Sequence, residues 1–390
     1  MKILIAIDYY QPQLGYSEGF IVEGLKKLGH EVIVLTSNYY FPFPNYSQTA
    51  GKILGSRKVE SGVNIEDGIT VVREKLKFEI FSRAILGNHE KHIKDINPDI
   101  IIANKVMGYN TIRFAQLKRK YKYKLISYDS HLLSEFYREK LFLKKVIYWI
   151  FKLLFSRILN SQIDKFIAVQ TGTKEVMKDY YGIKKRIDVI PLGTDIKKFR
   201  FDKKARNVLR EKYKILNNDF AIVYTGKVIE AKGVDILFRS FNNLCLKYTN
   251  LKLILVGDGP KNYFKKCFSC LDKKFHNKII RAGFHQVGDL YKFYSASDLA
   301  VWPLQESTSM NDAAACSIPF IANDEMTEKV RISNKNALLY KKGDVNDLSE
   351  KIERLYKNEK LRNKMGENGR ILVEKKLSWG KISSKYIELT

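Results

Sequence analysis

Tyr224-Thr225-Gly226-Lys227-Val228-Ile229-Glu230-Ala231-Lys232-Gly233 stands between an apolar run, Phe220–Thr225, and a helical pattern over residues 234–248. It reads as a buried strand, a glycine turn carrying two lysines, and a helix start. Glycine lets the backbone turn tightly, and two ammonium groups just beyond a strand suit a diphosphate. A surface loop with two solvated lysines fits the same ten residues equally well. The surrounding sequence decides between them.

The chain has 390 residues, 45% of them hydrophobic and 28% charged, enough for two or three domains with full cores. Lys+Arg number 69 against 42 Asp+Glu, a net charge of +27. That implies anionic company: phosphorylated substrates, an acidic membrane face or nucleic acid. The lysines are spread through the chain and no recognition module appears, so nucleic-acid binding is the remote reading and no nucleic acid is expected as a partner. Cys245, Cys267, Cys270 and Cys316 are too few and too scattered for a disulfide scaffold, which fits a reducing compartment. Cys267-x2-Cys270 with His276 lacks the second ligand pair of a structural zinc site, so no metal is expected. The opening run over residues 3–7 is interrupted at Asp8, too soon for a signal-peptide core, and no apolar run reaches the ~18 residues of a membrane span. The expected location is cytoplasmic.

Taken in order, residues 3–7 form a strand, 17–28 a helix and 31–36 a second strand. This βαβ opening implies a parallel sheet with helices on both faces. Gly15, between strand and helix, sits where a phosphate approaches the backbone. Residues 38–68 read as a long polar and aromatic loop near a ligand crevice. Strands recur at 69–73, 99–103, 124–128 and 165–169. His131 follows the carboxyl end of one of them, where parallel sheets bind ligands; a helix cap or an exposed loop histidine fits as well. The second half repeats the alternation, with strands at 220–225, 251–256, 278–282, 299–302 and 319–322 and helices at 346–356 and 359–375. The architecture expected is α/β, two doubly wound Rossmann-like domains facing across a cleft: residues 1–200, residues 201–375, and a terminal segment 376–390 packing back toward the first domain.

Residues 141–159 form a basic amphipathic pattern with aromatic residues. Lys144, Lys145, Tyr148, Lys152 and Ser156 share one face. Together with the basic run 118–124 it is expected to meet an anionic membrane surface; a wide core-facing helix with snorkelling lysines is the alternative.

The order of these landmarks resembles glycosyltransferase family 4, the retaining group 1 nucleotide-sugar transferases of the GT-B fold. The resemblance covers nearly the whole chain and is strongest over residues 187–379. It rests on Gly226-Lys227 with Lys232-Gly233, on Val256-Gly257-Asp258-Gly259-Pro260, on Arg281-Ala282-Gly283-Phe284, and on Tyr294-Ser295-Ala296-Ser297-Asp298. Asn336-Ala337-Leu338-Leu339-Tyr340 before Gly343-Asp344, the late Ser378-Trp379, and in the first half Gly29-His30-Glu31-Val32 and Pro191-x-Gly193-x-Asp195 complete it. The chain departs from the family at Lys227, where an arginine is usual, at Ser317, where a glycine is usual, and at the family's paired acids. Asp312 stands in the second acid position and Glu306 is two residues too close to be its regular partner.

The resemblance implies a retaining transferase moving a sugar from a nucleotide-diphosphate donor in the second domain to a glycan or lipid-linked acceptor in the first, in cell-surface polysaccharide or glycolipid synthesis. No cofactor or metal is implied, because Lys227 and Lys232 neutralise the leaving diphosphate. His131, Lys232 and Glu306 are the implied catalytic residues, His131 positioning the sugar and Glu306 holding its hydroxyls. Gly15, Gly226, Lys227, Lys232, Gly257, Gly283, Phe284, Ser307, Thr308, Ser309 and Asp312 are the implied donor-binding set, with Asp312 on the ribose hydroxyls; a Ser309-x-x-Asp312 capping box is its alternative role. The altered acid pair supports a second reading, a non-catalytic GT-B partner of an active transferase.

Overall fold

The computed structural model describes residues 1–43, 45–48, 50–130, 141–326 and 328–389. His131, and the side chain of Lys144, lie outside the described residues. The chain divides into two compact units, Met1–Leu192 with Gly380–Thr390, and Gly193–Trp379. The division falls before the expected residue 200 because residues 193–199 are bonded into the second unit. Arg370 Nη1 donates to the carbonyls of Ile196 at 3.2 Å and Phe199 at 2.8 Å, and Thr194 N–H donates to Leu377 O at 2.9 Å.

Among the described residues the first unit carries an eight-stranded sheet. Its order is Ile187–Val189, Lys165–Ala168, Lys124–Asp129, Ile100–Asn104, Lys2–Ala6, Glu31–Ser37, Ile69–Glu74 and Gly62–Glu66. All neighbours are parallel except the last pair. Ile3, Leu4, Ile5, Ile100, Ile101 and Ile102 are buried on both faces, as continuous apolar runs in a covered parallel sheet must be. The segment expected as a loop over residues 38–68 ends in that antiparallel edge strand. Val63 and Ile65 stay exposed there, so the strand lacks the half-buried alternation that would have marked it. A separate hairpin, Phe78–Ile80 with Arg83–Ile85, turns at Phe81 and Ser82, both in the left-handed region.

The helix Leu141–Gln162 differs from the expected basic face. Phe151 and Leu159 are buried, and Tyr148 packs edge-on to Tyr180 at 5.6 Å, so an inward stripe runs through positions 148, 151, 155 and 159. The outward face is apolar: Trp149 is 64% and Leu153 67% exposed. In the run 118–124, Lys118 pairs with Asp164, Lys120 with Glu90 at 2.7 Å, and Tyr123 is buried, so part of its charge is spent inside the unit.

The second unit has a six-stranded parallel sheet among the described residues, ordered Ile279–Gly283, Leu251–Val256, Phe220–Thr225, Leu299–Trp302, Phe320–Asn323 and Ala337–Tyr340. The helix Val234–Cys245 covers it with Val234, Leu237, Phe238, Phe241 and Leu244, a spacing of three and four that makes one buried stripe. Strand order reverses between Phe220–Thr225 and Leu299–Trp302. In doubly wound sheets ligands bind outside the carboxyl ends of the strands at such a reversal.

Candidate functional site

The carboxyl ends at that reversal carry the opening stretch on one side and residues 303–309 on the other. Thr225, the last residue of its strand, is locked from two directions: its carbonyl accepts from Trp302 Nε1 at 2.9 Å, and its hydroxyl lies 2.9 Å from Tyr294 Oη. The following turn is built of backbone. Gly226 N–H donates to Val256 O at 2.9 Å, Val228 N–H to Asp258 O at 2.9 Å, and Gly257 N–H to Gly283 O at 2.8 Å. Gly257 has φ 134°, and a Cβ there would overlap the Gly226 carbonyl; one on Gly259 would overlap that of Val228. Gly226, Gly257 and Gly283 thus belong to one layer of turns, and their closeness is what sets the lysine loop in place.

Lys227 is exposed. Lys232 lies in a short turn, Glu230–Lys232, partly buried, with its Nζ donating to the Glu306 carbonyl at 3.3 Å. Burial, and then the neighbouring cations Lys227 and Arg331, push its pKa down to about 8. Among the described residues it has no carboxylate partner within ion-pair distance. A desolvated ammonium between two other cations is a site arranged for an anion.

Glu306 comes near Lys232 only through its backbone. Its carboxylate takes Arg331 Nη1 at 3.0 Å and the Glu328 N–H at 3.3 Å. Arg331 is 4% exposed, its Nε has no hydrogen-bond acceptor among the described residues, and its charge is opposed by Glu306, Glu328 and Asp312. Neither Arg331 nor Glu328 stood out in the sequence. Glu306 and Arg331 stand 25 positions apart in the chain, a separation that carries no spacing signal for the pair.

Asp312 lies on the helix Ser309–Ala315, buried, where its Oδ1 accepts a short bond from the Thr194 hydroxyl. Burial raises its pKa to about 7, against the Thr194 bond, which lowers it. The helix is entered at Thr308 with no side-chain cap, so the Ser309-x-x-Asp312 box is not formed. Ser307 Oγ instead accepts from Ser309 N–H at 3.3 Å, and Thr308 is exposed. Gly283 has φ 77° and Phe284 is exposed beside the glycine turns. Gly15, in the first unit, closes a turn by donating to Pro12 O at 2.9 Å, with φ 71°.

Residues 205–372 match the family described as Glycosyl transferases group 1, and residues 21–198 match Glycosyltransferase Family 4. A doubly wound second unit with this turn layer, the matched half of the chain before it, and the matched half around it define the class. The chain belongs to the group 1, family 4 glycosyltransferases, and its fold is GT-B. It is 30% identical over 206 residues to the capsular polysaccharide biosynthesis glycosyltransferase CapM of Staphylococcus aureus, a match covering 50% of this chain and 52% of that one; the chain thus spans about half the length of that relative. It is 22% identical over 360 residues to the alpha-monoglucosyldiacylglycerol synthase of Acholeplasma laidlawii, covering 88% and 86%. Among solved structures, HepE of Anabaena in complex with UDP superposes with a TM-score of 0.73 at 16% identity, over 100% of this chain and 99% of that one. At that identity the likeness is one of fold.

Proposed function

We propose that this protein is a retaining glycosyltransferase that takes a sugar from a nucleoside-diphosphate donor held by the second unit and places it on a glycan or lipid-linked acceptor held by the first. The observation that carries the reading is Lys232: a desolvated ammonium at the strand-order reversal, flanked by cations. A diphosphate leaving group supplies the charge this lysine lacks, and Lys232 with Lys227 stabilises it without a metal. Departure of the diphosphate leaves an oxocarbenium-like sugar, the acceptor oxygen attacks from the same face, and the departing phosphate oxygen takes the acceptor proton. His131 is assigned the positioning of the sugar. Capsular polysaccharide and glycolipid synthesis by the two relatives above, and the UDP complex of HepE, support the substrate classes.

A thermal-shift series with uridine, guanosine, adenosine and cytidine diphosphate sugars tests this. A donor at 100 times its dissociation constant raises stability by ~2.7 kcal/mol. No shift with any of them would sink the reading. The affinity has a defined pH dependence. Lys232 is protonated below a pKa of about 8 and loses its charge above it, so the donor shift is expected to shrink as pH rises from 7 to 9.5. Lys232→Arg, which does not titrate there, is expected to flatten the profile.

A second reading is favoured by the engagement of Glu306 with Arg331 and of Asp312 with Thr194: a donor-binding protein without turnover. A donor shift with neither transfer nor donor hydrolysis would support it. The place of action proposed is the inner face of the cell membrane. No helix among the described residues is long and apolar enough to cross a membrane, and the outward face of Leu141–Gln162 offers Trp149, Leu153 and Leu154 to an interface. Sedimentation with vesicles containing phosphatidylglycerol is expected to fall at least tenfold in Trp149→Glu/Leu153→Glu. Equal partitioning of variant and wild type would count against it.

A further inference from the structure

The sheet of the first unit ends at one edge in Gly62–Glu66. This strand pairs antiparallel with Ile69–Glu74, and among the described residues no strand follows it on its other side. Asp67 and Gly68, at φ 51° and 72°, close the hairpin as a two-residue turn of the mirrored type. Glu66 and Ile69, which flank such a turn, bond each other through the backbone, and the bonding direction alternates along the strand. Gly62, Asn64 and Glu66 therefore turn their N–H and C=O groups to the sheet, and Val63 and Ile65 turn theirs outward. The strand is firmly held: Arg73, buried, donates to both Glu66 carboxylate oxygens, at 2.7 and 2.9 Å. Val63 is 68% and Ile65 79% exposed, on the face they share with Thr70 and Val72.

An apolar edge strand with open backbone groups is a template for another strand, and proteins deter such pairing with charge, lysine above all. The other three edges of the two large sheets are guarded in this way. Ile187–Val189 follows Lys184-Lys185-Arg186, Ile279–Gly283 follows Lys278 and contains Arg281, and Ala337–Tyr340 lies between Lys335 and Lys341-Lys342. Residues 59–68 contain no lysine or arginine, in a chain of net charge +27. This fourth edge is also complementary to itself. A two-fold axis through Asn64 sets Val63 opposite Ile65 of a second copy, and Ile65 opposite Val63 of that copy. Both are residues whose backbone groups point outward, so each pair can exchange its N–H and C=O groups. On the exposed face the pairs extend the rows begun by Val72 and Thr70. On the other face Glu66 meets Gly62, so no carboxylate is set against a carboxylate. Slipped by one residue, an outward-turned residue would face an inward-turned one.

We infer that Gly62–Glu66 is a self-association edge, joining the first units of two copies into one continuous sheet about a two-fold axis at Asn64. The strand is short, so the contact belongs with interfaces under ~1,200 Å², which form weak, exchanging complexes. It does not depend on the transferase reading. Sedimentation velocity on the full chain, from micromolar to near-millimolar concentration, tests it. Wild type is expected to shift toward dimer as concentration rises. Val63→Lys/Ile65→Lys sets lysine opposite lysine and is expected to weaken association about tenfold or more. Val63→Glu/Ile65→Lys sets glutamate opposite lysine across the same axis and is expected to restore it. All of these side chains are exposed, and thermal melts of the variants read the fold separately. Asn64→Cys, whose thiols meet on the axis, is expected to cross-link the dimer under mild oxidation, whereas wild type and Val63→Cys are not. A wild type that stays monomeric at every concentration leaves the edge to some other partner and overturns the proposal. Association of the double-lysine variant at wild-type strength places the dimer on another surface and overturns it as well. So does a glutamate–lysine variant that stays monomeric, because a merely adhesive stripe would lose association in both variants.

Discussion

Lys232→Ala is expected to lower kcat/KM for the nucleotide-sugar donor by about 10²–10³, the ~2.7–4 kcal/mol seen when one preorganised charge-stabilising group is removed. Negative charge develops on the diphosphate as the sugar departs, and Lys232 is the partly buried cation at the strand end where it would lie. Lys227, exposed, is worth less because water screens it. The loss is not a folding effect. Lys232 contributes one hydrogen bond, 3.3 Å to the Glu306 carbonyl, and burying its ammonium beside two cations costs stability. Its folded pKa lies below the ordinary lysine value, so the penalty is fully in place below about pH 8 and fades as pH rises through the unfolded value. The variant should therefore melt no lower than wild type at pH 7 while losing turnover. Steady-state kinetics beside thermal melts check both halves. Turnover within twofold of wild type would remove Lys232 from the site.

The parts of this site that were legible in the sequence are those written in consecutive residues. Phe220–Thr225 is an unbroken apolar run ended by a glycine, and a strand buried on both faces leaves that signature. Gly226 and Gly257 each follow a buried strand of this kind, whereas Gly283 ends the half-exposed strand Ile279–Gly283; the turns are legible one by one, their mutual packing is not. What stayed hidden depends on distant residues meeting. Arg331 is one cation among 69 until it lies against Glu306, and Thr194 is unremarkable until it takes the carboxylate of Asp312. The helix Leu141–Gln162 shows a subtler failure. Its lysines and its aromatics both repeat at helical spacing, and only the tyrosines at 180 and 181 decide that Tyr148 turns inward and Trp149 outward. Gly62–Glu66 was missed for want of any buried face to give it a period.

Arg331→Met is expected to destabilise the second unit by about 3–5 kcal/mol, because it removes the buried guanidinium that opposes the charges of Glu306, Glu328 and Asp312. Glu306 Oε2 loses a partner at 3.0 Å, and Glu328, itself buried, loses the opposing charge. Methionine fills the volume, and the backbone bonds of the turn, Arg331 N–H to Glu328 O at 3.1 Å and Asn336 Nδ2 to Arg331 O at 2.8 Å, do not need the guanidinium. The effect is therefore one of charge rather than of packing. At ~2–4 °C per kcal/mol for a unit of this size, the melt should fall by roughly 6–20 °C. A double-mutant cycle separates this from a general loosening. Glu306→Gln in the Arg331→Met background removes one of the charges that Arg331 opposes and should restore a large part of the loss, whereas in the wild type the same change should be destabilising. Donor affinity should follow, since the carbonyl that positions Lys232 belongs to Glu306: tethering that loop through Arg331 is how a residue outside the diphosphate contact sets the geometry of the one inside it. If Arg331→Met melted within a degree or two of wild type, the ion pair would contribute nothing to stability.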